Sequence, residues 1–81
     1  MKSIKVADID IAIQMLKTYL DIEDINLFLS ALETLKTEPQ NEAYQTQVVN
    51  AFNDLGVMTG AVLTYAPFLN VLISDDPFED H

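Results

Sequence analysis

The side chains most often used for proton transfer and nucleophilic attack are scarce in this chain. Its one histidine is His81, the last residue, and it has no cysteine. A terminal imidazole is not held in geometry, so no general base with a pKa near neutrality is at hand. Without cysteine there are no disulfides, thiolate metal sites or thiol nucleophiles, and the redox compartment stays open. Carboxylates are plentiful, and the pairs Asp8/Asp10 and Asp21/Asp24 could serve as acid and base. Both pairs fall where helices are expected to start, and there carboxylates cap free N–H groups and meet the positive end of the dipole. The C-terminal acids Asp75, Asp76, Glu79 and Asp80, with His81, offer oxygen ligands to a divalent cation, but they lack the fixed loop of an EF-hand. No glycine-rich phosphate loop and no nucleophile elbow is present. These residues predict no catalysis, no cofactor and no metal site.

The elements that would position such groups read as helices. Apolar residues Ile9, Ala12, Ile13, Leu16, Tyr19 and Leu20 recur at helical spacing, with Ser3 or Asp8 as the N-cap. A competing alternation of Ile9, Ile11 and Ile13 with Asp8, Asp10 and Ala12 suits a short strand, but Gln14 to Leu20 continues the helix without a turn. A second stripe runs through Ile22, Ile25, Phe28, Leu29, Leu32 and Leu35 and is stopped by Glu38-Pro39, because the residue before proline avoids the α region. A third starts at the cap Asn41, follows Tyr44, Val48, Ala51, Phe52 and Leu55, and ends at Gly56, a natural left-handed C′ residue. Its outward face is expected to carry the amides Gln40, Gln45, Gln47, Asn50 and Asn53. Thr59 is a candidate cap for a fourth segment towards Ile73, which Pro67 should kink or divide by removing a backbone donor. The expected fold is all-α, a small four-helix bundle or orthogonal array, five helices if the chain breaks at Pro67. One helical domain over residues 1–74 would be followed by an acidic flexible tail, 75–81.

Charge is unevenly placed in a chain of 81 residues and net charge −9. The first 36 residues hold six acids and all four lysines, whereas residues 37–81 hold seven acids and no base. Phosphate contacts need lysine or arginine to displace condensed counterions, so this surface should repel nucleic acid and anionic membrane alike. The start of the chain, broken by Lys2, Ser3 and Lys5, does not read as a signal peptide, and a cytoplasmic location is expected.

The 20 residues from Leu55 to Ser74 contain no charge, which is the length of a membrane span, and Gly56 and Gly60 match the G-x-x-x-G spacing. Thr59, Thr64, Tyr65, Pro67 and Asn70 interrupt that stretch, and acids rather than lysines flank it. It reads instead as a buried central helix lacking a full polar face, since Val71, Leu72 and Ile73 occupy all sides in a row. Val57, Met58, Leu63, Phe68, Val71 and Leu72 are therefore the candidate interface, most simply that of a homodimer.

The stretch Leu55-Gly56-Val57-Met58-Thr59-Gly60-Ala61-Val62 resembles the turn and recognition-helix start of bacterial helix-turn-helix regulators. That resemblance implies a DNA-reading helix, but Met58, Thr59, Leu63 and Tyr65 stand where bases would be read and nothing cationic follows. In size, acidity and helix number the chain also resembles acyl carrier proteins, which implies a serine bearing phosphopantetheine in an Asp-Ser-Leu motif. Here that tripeptide is absent, and the serines are Ser3, Ser30 and Ser74. The sequence is best read as a non-catalytic, acidic helical protein that acts through protein contact and self-associates. The alternative is an acidic inhibitor or immunity-type antagonist of a basic protein, with Asp21, Glu23 and Asp24 as its contacts. A helix-turn-helix-like regulator is a lesser alternative.

Overall fold

The computed structural model describes residues 4–73, so Ser3, Ser74 and the acidic tail lie outside the described residues. Five α-helices follow one another: α1 (Val6–Tyr19), α2 (Ile22–Thr37), α3 (Glu42–Asn53), α4 (Thr59–Tyr65) and α5 (Leu69–Ile73). A single 3₁₀ turn, Gly56–Met58, joins α3 to α4. The fold is all-α, with no strand among the described residues. The alternation at residues 7–13 is thereby resolved as helix: Ile9, Ala12, Ile13 and Leu16 are buried on one side of α1, while Ile11 points away from them.

Local chemistry explains most of the boundaries. Leu20 is extended, and Asp21 caps α2 by accepting a hydrogen bond from the Glu23 backbone N–H at 3.1 Å. Asn41 caps α3 in the same way, its Oδ1 accepting from the Tyr44 N–H at 3.1 Å. Gly56 has φ +62°, the left-handed conformation that closes a helix end at little cost only for a residue without a Cβ. Two expected caps are not used. At the head of α1, Lys5 takes the N-cap position without a side-chain bond and Asp8 lies inside the first turn, where it still meets the dipole. Thr59 is the first residue of α4, following Met58, which has no capping oxygen.

Three long helices form antiparallel neighbours around one core. Lys36, in the last turn of α2, pairs with Asp10 in the first half of α1 at 2.8 Å, and Phe28 of α2 meets Phe52 of α3 with ring centroids 6.2 Å apart. The loop between α2 and α3 is tied down by two amides: Gln40 Nε2 donates to the Ile4 carbonyl at 2.7 Å, and Gln45 Nε2 to the Pro39 carbonyl at 2.8 Å. Gln45 is consequently buried rather than part of the outward amide face, because only a side chain turned inward reaches that carbonyl. Within α2, Ile25 has non-helical dihedrals (φ −126°, ψ 18°). The first turn is thus offset from the rest, and Ile22 stays largely exposed while Ile25 enters the core.

The uncharged C-terminal stretch is not one central helix. Ala66 ends α4 with φ −134°, ψ 64°, and Pro67, which cannot donate to a helical ladder, starts the turn that leads into α5. The two short helices present Val62, Ala66, Leu69 and Leu72 to the core, and α4 packs on α1 while α5 packs on α3. Gly60, Thr64, Pro67 and Asn70 face solvent. No helix among the described residues is long and apolar enough to cross a membrane.

Leu32 is completely buried at the middle of α2. Leu32→Ala should lower unfolding free energy by about 2–5 kcal/mol in urea titration, whereas a loss below about 0.5 kcal/mol would mean that the helix packs on another face. A second expectation concerns acid. The hydrogen bond and charge of Lys36 hold the Asp10 carboxyl below its ordinary value, with a smaller contribution from Gln14, while partial burial opposes the shift. Folding therefore favours the ionised form, and this stabilisation is present above the unfolded-chain pKa of about 3.9 and is lost as pH falls through the lower folded value. Urea midpoints measured against pH should show a small advantage over Asp10→Asn near neutrality that fades below that value. The advantage is small because both side chains are part-exposed.

Candidate functional site

Two concave surfaces formed by described residues bring candidate residues together. The larger is an apolar groove of about 570 Å³ between the outer face of α1 and the α4–α5 turn. Its walls are Ile11 and Met15 on one side and Tyr65, Phe68 and Val71 on the other, with Asp8 as its one charged member. Ile11 is 56% exposed and Val71 48%, high values for branched apolar residues on regular helices. The groove arises from a phase conflict: α1 spends Ile9, Ala12, Ile13 and Leu16 on the core, so Ile11 and Met15 lie on its other side. Beyond one end of the groove the ring of Tyr19 stacks on Tyr65, centroids 5.1 Å apart and planes 11° apart, linking the last turn of α1 to the end of α4.

The six interface residues expected from the sequence divide among three places. Phe68 and Val71 line the groove. Leu72 is only 6% exposed and belongs to the core, so it is withdrawn from the candidate interface: it continues the Val62, Ala66, Leu69 stripe at helical spacing. Met58 and Leu63 are half-buried against that core. Val57, on the 3₁₀ turn, is 98% exposed. The groove residues that sequence reasoning missed, Ile11 and Met15, carried a signal in the strand-like alternation of Ile9, Ile11 and Ile13, which marks an apolar residue on the wrong side of an amphipathic helix.

The second concavity is a cleft of about 390 Å³ between the start of α2 and the end of α3. Glu23 and Asp24 line it together with Asp54 from the C-cap of α3, over an apolar base that includes Phe28, Ala51 and Leu55. Asp21 is exposed beside them as the helix cap. Two of the three expected acidic contacts are therefore brought into one concavity, joined by a carboxylate 30 residues further along that no spacing rule connects to them.

Neither concavity assembles a nucleophile, a base and an orienting partner. No group of three or more histidine, cysteine or carboxylate side chains suited to a metal ion occurs among the described residues. The segment that resembles a helix-turn-helix folds as a 3₁₀ turn followed by a seven-residue helix whose exposed positions, Gly60 and Thr64, carry no charge. Comparison with known proteins finds no matching family, no matching curated protein and no matching solved structure.

The tyrosine stack has a measurable consequence for the groove. Double-mutant cycles with Tyr19→Ala and Tyr65→Ala should yield a coupling energy of about 0.5–1.5 kcal/mol in urea unfolding, the range for stacked aromatic pairs. Additive single effects would mean that the rings are not held together in solution.

Proposed function

We propose that this protein acts without catalysis, through protein contact, and that it self-associates across the face formed by α1 and α4–α5. One observation carries the reading: an apolar groove of about 570 Å³ has one charged residue in its lining and leaves Ile11, Met15 and Val71 exposed, beside a half-buried Phe68. Two copies of a chain of net charge −9 repel one another over most of their surfaces. A groove with a single carboxylate, Asp8, among its lining residues lets two such copies meet at low electrostatic cost. A two-fold arrangement sets the same groove residues against themselves, so every exposed apolar side chain in it gains a partner at once. Burying them removes apolar area from water, which drives association without any charge pair.

Light scattering coupled to size-exclusion chromatography at micromolar concentration should give a mass near twice 9.1 kDa. Raising salt from about 0.1 M to about 1 M, over which the screening length falls from about 10 Å to about 3 Å, should strengthen the dimer, because it screens repulsion. Ile11→Glu or Val71→Glu, at exposed positions, should return a monomer with little loss of thermal stability. A monomeric mass at every concentration and salt would reject the self-contact.

A further inference from the structure

We infer that the cleft between α2 and α3 is a second docking surface, separate from the groove, and that it receives a cationic amphipathic segment of another protein. Its apolar part comes first. Leu27, on its wall, is 77% exposed, and Val57, two residues after its floor residue Leu55, is the most exposed large apolar side chain among the described residues. Ile22, the first residue of α2, is 46% exposed ahead of the kink at Ile25. Leu27 lines the cleft with a base of Phe28, Ala51 and Leu55, and Ile22 and Val57 are close to lining residues in sequence, so a partner's apolar residues would find both a floor and an exposed anchor.

Charge then selects the occupant. Glu23 and Asp24 have a local reason to be where they are, since they sit in the first turn of α2 at the positive end of its dipole. Asp54 has none. It is the C-cap of α3, where the last carbonyls already carry partial negative charge and where a lysine would normally sit, yet the last turn of α3 has no basic residue. A carboxylate there costs local stability and adds its charge to that of Glu23 and Asp24 across the cleft, a breach of helix rules of the kind found at functional positions. No lysine lines the cleft, and the one ion pair among the described residues, Lys36–Asp10, involves other parts of α1 and α2. The helix ends at the cleft, the positive one of α2 and the negative one of α3, offset each other, so the net negative potential comes from the three carboxylates, and beside an uncovered Leu27 it complements lysine or arginine set around apolar side chains. Nucleic acid and anionic membrane carry the wrong sign for this surface, and a simple polycation would leave Leu27 and Val57 exposed.

The test uses a fluorescently labelled lysine–leucine peptide of helical amphipathic pattern, about 14 residues long, which is about four helical turns. Oligolysine of equal charge is the comparator, and binding to the full chain is read by anisotropy at low salt. Saturable binding of the amphipathic peptide, tighter than that of oligolysine, is expected. Leu27→Ser and Val57→Ser should each weaken it about fivefold or more, the threshold of an energetically important contact. Asp24→Asn combined with Asp54→Asn should weaken it and flatten its salt dependence, while Glu38→Gln combined with Glu42→Gln, at the other end of the α2–α3 pair, should leave it unchanged. All these positions are exposed, and circular dichroism of each variant checks that the fold is kept. Ile11→Glu, which breaks the proposed self-contact, should bind the peptide as the parent does, so failure of one reading is distinguishable from failure of the other. Absence of saturable binding, equal binding of oligolysine, equal weakening by the Glu38/Glu42 pair, or loss of binding in Ile11→Glu would each overturn the inference.

Discussion

Three amphipathic helices arranged side by side leave one end of their shared apolar core open, and a chain of this size has few residues with which to close it. Here the closure is made by a single discontinuous stripe, Val62, Ala66, Leu69 and Leu72, laid over α1 and α3 by two short helices. Each is too short to be stable alone, since a helix of one or two turns does not recover the entropy of nucleation. Their order depends on the area that those four side chains bury, and the lower core depends on the cover in return. The break at Pro67 goes with this arrangement: α4, before it, packs on α1, and α5, after it, packs on α3.

The same constraint explains why the protein has an apolar outside. A segment with no charged residue can bury one face, but its other faces have only Gly60, Thr64, Pro67, Asn70 and the apolar residues between them to offer water. Val71 and part of Phe68 are left over, and they come to lie beside Ile11 and Met15, which α1 could not bury either. The groove is thus made of the residues that two elements had in surplus, and this surplus is what the proposed self-contact uses. Among the lining residues of the groove only Asp8 is charged, whereas the α2–α3 cleft is lined by three carboxylates, and the two proposed contacts rest on that difference.

Among the described residues, the polar side chains that the sequence offers for chemistry are mostly drawn into holding the fold. Three of the four carboxylates that might have worked in pairs have structural tasks: Asp21 caps α2, and Asp10 accepts from Lys36 and Gln14 while Asp8 meets the dipole of α1. Gln45, which looks like one more surface amide, closes the loop after α2. Polar groups inside the fold thus serve to hold loops and helix ends, and the exposed surface is where the protein has specificity to offer.

Local physics made much of this readable in advance. The stripes of α1, α2 and α3, the caps Asp21 and Asn41, the left-handed Gly56 and the interruption at Pro67 all follow from interactions within a few residues, which is why spacing alone reveals them. Where a stretch is apolar on every side, periodicity has no phase to read, and only the neighbouring helices determine which residues turn inward. That is why Leu72 proves to be core while Val71 and Val57 stand in solvent, and why the choice between a kink and a full division at Pro67 was left to the tertiary structure. Pairings across the fold, such as Ile11 and Met15 with Phe68 and Val71, or Glu23 and Asp24 with Asp54, depend on how helices distant in sequence pack, and no local pattern encodes them.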